Sequence, residues 1–223
     1  MATLTVYPEP GVTVDGRVRE QYSISSGVSW TTIVNDAGNG NDSASTLIRA
    51  PQFASDDSTD TWRLLRRSIM LFDTSALTSG ATISAATLSL YGTAKLDDLS
   101  ATPTTNIYSS APASDTTLAD GDFNSLGSTA FATAITYASW STVAYNDFTL
   151  NASGLAGISK TGITKMGTRN PEYDVADSSP TWADSVTSYT EHSSSDHTGT
   201  TQDPKMVITY TAGSTFKPRI IMF

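Results

Sequence analysis

The chain has 223 residues, 38% of them hydrophobic, no cysteine and a formal net charge of −9. The length suits one large β domain, and the missing cysteine excludes disulfides, thiolate zinc sites and cysteine nucleophiles. The acidic balance argues against a nucleic-acid or anionic-membrane partner, because a phosphate backbone needs clustered Lys and Arg.

Ser and Thr make up about 30% of the chain, well above ordinary usage. Short clusters of Ile, Val, Leu, Tyr and Trp recur along it, so it reads as folded, with Thr suited to the solvent face of strands. Leu4–Tyr7 alternates like a strand, and Pro8-Glu9-Pro10-Gly11 turns the chain. Val12–Val14 and Arg17–Arg19 then flank Asp15-Gly16, a hairpin-type turn signal. Trp30–Val34 is rich in β-branched residues and reads as a third strand. Residues 35–45 are loop, Leu47–Arg49 is a brief strand, and Gln52–Asp60 is a polar, acidic loop.

Two strands dominate. Trp62–Asp73 carries Ile69 and Leu71 on one face and Met70 and Phe72 on the other, the pattern of a central strand between two layers. Ala81–Thr93 is half-buried, with Leu88 and Leu90 facing one way. Further strands are expected at Asn106–Tyr108, Tyr145–Leu150, Gly162–Gly167, Val186–Glu191 and Met206–Tyr210. Ala152–Lys160 is the one helix candidate, and Pro171–Pro180 reads as loop. The pattern predicts an all-β fold, an antiparallel β-sandwich of jelly-roll type with at most one short helix. The sandwich domain spans residues 1–212, and 213–223 form a separate tail.

Few residues invite chemistry. His192 and His197, with Glu191 and Asp196, lie in a Ser-rich stretch that reads as a solvated loop rather than a metal site. No Gly-x-Ser-x-Gly elbow supports a nucleophilic serine. The acidic groups Asp56, Asp57 and Asp60, Asp97 and Asp98, and Asp120 and Asp122 read as solvated loops, since none follows the twelve-residue calcium template. No cofactor is expected. A structural calcium is the one metal left open, in the Asn/Asp/Gly stretch 36–42. Arg63, Arg66 and Arg67 form the basic cluster and are expected to pair within the molecule, the acidic loop 56–60 lying just upstream. Trp30, Trp62 and Trp140 read as core, while Trp182, in a polar stretch, is the possible glycan contact. The apolar run of the tail, Ile220, Ile221, Met222 and Phe223 after Phe216, needs cover. It is either the last strand of the chain's own sheet or a segment that docks on a neighbouring subunit.

Residues 67–77 (RSIMLFDTSAL), then 80–91 (GATISAATLSLY) and 203–210 (DPKMVITY), resemble the core of DNRLRE-type modules, jelly-roll sandwiches of which some bind carbohydrate. The whole chain is also similar to uncharacterised phage and environmental viral proteins. That likeness lies in the start MATLTVYP, residues 147–154 (DFTLNASG) and residues 158–165 (ISKTGITK). It implies a non-enzymatic virion protein on tail or capsid, made in the host cytoplasm, whose partners are itself or neighbouring virion proteins, with possible glycan contact. Neither nucleic acid nor membrane is an expected partner. No signal peptide is read at the start. The alternative is a carbohydrate-binding module of an extracellular protein. Neither resemblance carries a catalytic residue.

Overall fold

A computed structural model describes residues 1–213 of the protein. Eleven strands are present: β1 (Ala2–Val6), β2 (Asp15–Gln21), β3 (Gly40–Asp42), β4 (Leu47–Ser55), β5 (Trp62–Asp73), β6 (Thr82–Asp97), β7 (Asn106–Ser109), β8 (Tyr145–Thr149), β9 (Ile163–Arg169), β10 (Thr187–Ser193) and β11 (Lys205–Thr211). Two short helices, α1 (Trp30–Asn35) and α2 (Ala152–Ala156), join them. Every strand pairing is antiparallel.

The strands form a sandwich whose two layers share β6. Its first part, Thr82–Tyr91, pairs with β11 and β8, and β1 completes that layer beyond β11. Its second part, Gly92–Asp97, crosses over to pair with β10. The order β10-β4-β5-β2-β3 then builds the other layer. Along one edge β5 meets β2 from Leu64 to Met70. Along the other it meets β4 in its first half and β9 in its second, and β7 adds beyond β9.

The two faces of β5 serve two cores, as its sequence pattern predicts. Met70 and Phe72 pack between the layers with Leu88, Leu90, Phe148 and Met206. Ile69 and Leu71 face outward into a second cluster with Trp30, Ile33, Phe53 and Phe123. Each fully buried side chain of this size contributes about 1.5–3 kcal/mol from its removal from water.

Several local expectations are corrected. Trp30–Val34 is a helix. Ser29 caps it, its side chain accepting from the Thr32 N–H at 3.2 Å. Trp30, Ile33 and Val34 are spaced to share its buried face. Packing on β5 outweighs the β-branched propensity. Asp15-Gly16 opens β2 instead of turning the chain. Gly16 is required because a Cβ there would lie 2.4 Å from the Asp42 carbonyl oxygen of the next strand. The turn falls at Glu9–Thr13 instead, where Val12 and Thr13 N–H groups donate to the Glu9 carbonyl and Gly11 has φ +85°. Residues 12–14 are therefore not a strand. β4 continues through Ser55, well into the stretch expected to be loop. Within 171–180 a π-type turn, Pro171–Val175, is present.

The hydroxyl residues also depart from expectation. Many line the interior in hydrogen-bonded pairs: Ser68 with Thr168 at 2.7 Å, Thr74 with Thr164 at 2.7 Å, and Thr105 with Thr190 at 2.8 Å, all buried. Pairing two hydroxyls lets a close-packed interior accept them without an orphaned polar atom. No helix among the described residues is long and apolar enough to cross a membrane.

Candidate functional site

The ionisable groups divide into those built into the fold and those facing an open groove. The strongest of the first kind is a buried triad. Arg67 on β5 and Arg169 on β9 converge on Asp174 in the π-type turn. Arg67 Nε and Arg169 Nε donate to Asp174 Oδ2 at 3.0 and 2.9 Å, and Arg169 Nη2 to Oδ1 at 2.7 Å. Arg67 also donates to the Phe123 and Val34 carbonyls at 2.7 and 2.9 Å and stacks on the Phe123 ring at 3.8 Å. Burial alone would raise the Asp174 pKa, but the two guanidiniums outweigh it and hold the carboxyl below the ordinary range. Arg67 thus pairs within the molecule as expected, with Asp174 rather than with the acidic loop before β5.

The loop carboxylates are backbone acceptors. Asp56, 1% exposed, accepts from the Ser25 and Gly27 N–H groups at 3.0 and 2.6 Å. Asp97 accepts from Ala101 and Thr102 N–H at 2.8 and 2.9 Å, and Asp122 from Ala113 and Ala119 N–H at 3.0 and 2.8 Å. These three are turn-fixing groups, a role that a reading of solvated loops misses. In the stretch 36–42, Asp36 accepts from the Tyr22 hydroxyl and Asp42 pairs with Arg17 at 2.6 Å. Among the described residues no three His, Asp or Glu side chains converge as a metal site would need.

His192 is corrected most sharply. It lies on β10, fully buried, not in a solvated loop. Burial pushes its pKa down to about 4, so the ring is neutral, with Nδ1 2.8 Å from the Ser193 carbonyl. Trp30, Trp62 and Trp140 are core. Trp182 is partly buried against the second cluster. Phe216, Ile220, Ile221, Met222 and Phe223 lie outside the described residues.

A groove of about 560 Å³ opens at one end of the layer that holds β1 and β11. One wall is the segment Thr5–Pro10 leaving β1. The other is the loop from β10 to β11, with Ser195, His197, Thr200 and Asp203, and Asp73 also lines it. Both walls are fixed. Asp15, on β2, accepts from the Ser195 N–H at 3.0 Å and from its hydroxyl. The Tyr145 hydroxyl donates to the Thr201 and Asp203 carbonyls at 3.0 and 3.1 Å, and the Glu9 N–H donates to Thr13 Oγ1 at 2.7 Å.

No family model and no curated protein matches this chain.

The groove is acidic and partly unsatisfied. Glu9, Asp73 and Asp203 line it, with Asp15 behind Ser195. Burial raises the Asp15 pKa to about 6 against the opposing Ser195 hydrogen bonds, with Asp196 and Asp203 adding to the rise. Asp203 is 4% exposed, and among the described residues its Oδ1 has no hydrogen-bond partner. His197 Nδ1 is likewise buried and without one. Burial raises Asp203 and the nearby His197 opposes that. The apolar contribution comes from Val6, Tyr7, Pro8 and Pro10, and Tyr7 is 37% exposed. This combination of aromatic and proline wall, carboxylates and an open carboxylate oxygen suits recognition of a donor-rich group. Sequence reasoning saw Pro8-Glu9-Pro10 as a turn and Asp203 as the approach to the last strand. Their meeting is set by the pairing Val6↔Met206, which no local pattern reveals.

Proposed function

We propose that the protein is a non-enzymatic structural or accessory component of a phage particle, on tail or capsid surface, that works by contact with itself or a neighbouring particle protein. The observation that carries this reading is how its ionisable groups are used. The buried Arg67, Asp174 and Asp56 are engaged by the protein's own backbone and side chains. The open acidic groove has rigid walls and an apolar side, as a recognition surface has. The likeness of residues 1–8, 147–154 and 158–165 to viral proteins supplies the setting. The test is quantitative mass spectrometry of gradient-purified particles with antibody labelling in electron microscopy. A fixed copy number per particle and labelling at one location are expected; absence from washed particles refutes the reading.

A second reading, a carbohydrate-binding module, is favoured by Tyr7, an exposed ring beside carboxylates that can accept from sugar hydroxyls. It predicts saturable binding on a glycan array that is lost in Tyr7→Ala. Binding unaffected by Tyr7→Ala, or no binding to any glycan, removes it.

A further inference from the structure

The groove's unpartnered carboxylate oxygen, its acidity and its position relative to Gly213 together point to an occupant. Asp203 Oδ1 and His197 Nδ1 are both buried and without partners among the described residues. A buried carboxylate oxygen without a partner, in a pocket that Glu9 and Asp73 also line, suits a cation better than a single hydroxyl, and a guanidinium presents a fork of donors to a carboxylate. The opening is far larger than an ion and has an apolar wall, so the occupant is a chain segment bearing both a cation and apolar side chains.

The chain itself contains such a segment. Residues 214–223, outside the described residues, hold Lys217 and Arg219, no acidic residue, and the apolar run Ile220–Phe223. The remaining 213 residues carry a formal −11, since the whole is −9 and this segment contributes two positive charges. Charge complementarity between segment and groove is therefore direct.

Distance disfavours the chain's own groove for Arg219. Val6 pairs with Met206 and Ala2 with Tyr210, so the groove lies at the start of β11. Gly213 lies past the far end, packed against Gly80, where a Cβ on either would meet the other's backbone at 2.6–3.1 Å. From Asp203 to Gly213 the chain runs about 30 Å at the rise of a strand. The six residues from Gly213 to Arg219 span at most about 22 Å fully extended. Both edges of β11 are also occupied, by β1 and β6.

We propose that residues 214–223 of one copy dock in the groove of a neighbouring copy, with Arg219 donating to Asp203 and the apolar residues covering Tyr7 and Pro8. The contact joins two different surfaces, so it propagates to a ring or an open chain rather than stopping at a dimer. It rests on the assembly reading above and names the partner surface.

The experiment is sedimentation velocity and native mass spectrometry of the full chain. Four samples are compared: wild type, a tail variant (Lys217→Glu/Arg219→Glu), a groove variant (Glu9→Lys), and the two variants mixed. Glu9 is exposed and its side chain makes no hydrogen bond among the described residues, so Glu9→Lys leaves the fold intact. Asp203→Asn, checked for folding by its melting curve, is the second groove variant. Wild type is expected to form species larger than dimers, and to dissociate as salt rises. Each variant alone is expected to weaken association by at least about thirtyfold. The mixed variants should form a heterodimer and stop there, because only one intact groove meets one intact tail. A monomeric wild type at 100 µM or above (roughly 10⁴-fold over a 10 nM contact), or variants that assemble like wild type, overturns the proposal. If particle association persists in those cases, the assembly reading stands and only this contact fails.

Discussion

Removing the Asp174 carboxylate charge should destabilise the protein more than any other conservative change to a polar side chain. In Asp174→Asn the shape is kept, but two guanidiniums whose side chains are 2% and 10% exposed lose the one counter-charge they have among the described residues. Arg67 retains the Phe123 and Val34 carbonyls, and Arg169 the Gly127 carbonyl at 3.1 Å. Those bonds satisfy some donors without neutralising charge, and the new amide turns its own N–H groups toward donors. Breaking one partner of a buried ion pair costs about 3–5 kcal/mol. For a chain of this length each kcal/mol moves Tm by about 2–4 °C, so a fall of roughly 6–20 °C is expected. The assay is urea unfolding at pH 7, followed by tryptophan fluorescence, with unchanged slope and a lower midpoint. The pH limb gives a second readout. Asp174 has its pKa lowered by folding, so its stabilisation is present above the ordinary Asp pKa and is lost as pH falls through the folded value. The difference between wild type and Asp174→Asn should therefore shrink in acid. A loss below about 1 kcal/mol at pH 7 would mean the triad behaves as a solvated pair, and the reasoning would fail.

Asp15 should act with the opposite sign. Its pKa is raised to about 6 from 3.8, so its contribution is fully present below pH 3.8 and is lost as pH rises through 6, about 3 kcal/mol in all. Asp15→Asn keeps both Ser195 contacts and should flatten the decline in Tm between pH 4 and 7; an unchanged profile refutes the assignment. Ser29→Ala should cost about 1 kcal/mol in urea unfolding if residues 30–35 are a capped helix, and close to nothing if they are a strand. Thr105→Val should cost about 1–3 kcal/mol by orphaning the buried Thr190 hydroxyl, while Thr105→Val/Thr190→Val recovers most of it; equal losses in the single and double variants would show that the pair is not coupled.

The strands read most clearly where one residue pattern serves two cores. Ile69, Met70, Leu71 and Phe72 announce a central strand because no solvent-facing strand carries four large apolar residues in succession. The helix α1 is hidden by its composition. Thr31, Thr32, Ile33 and Val34 are all β-branched, and their propensity is overruled by packing of Trp30 and Ile33 on β5. The signal was present in Ser29 followed by apolar residues at the first, fourth and fifth helical positions. His192 is hidden for a different reason. Its Ser and Thr neighbours look solvated, yet on β10 they are interior, and only cross-strand pairing, as in Thr105 with Thr190, makes that burial affordable. A hydroxyl-rich sequence therefore understates its core, since the same residue is polar alone and internally satisfied when paired.

The acidic composition carries a related ambiguity with a functional consequence. Twenty-two Asp and Glu residues face thirteen Lys and Arg, and solvation alone would spread that excess over the surface. In the structure part of it is drawn inward, onto backbone N–H groups at Asp56, Asp97 and Asp122, and part is gathered around one groove. A surface of net negative charge keeps identical copies apart except where a positive segment meets a negative pocket. In the proposed contact, segment 214–223 and the Asp203 groove would be such a pair. The charge that suppresses random association is thus the same charge that would select one register of contact. This makes assembly sensitive to ionic strength, whereas the fold, held by Arg67 and Asp174 deep in the second core, is much less so.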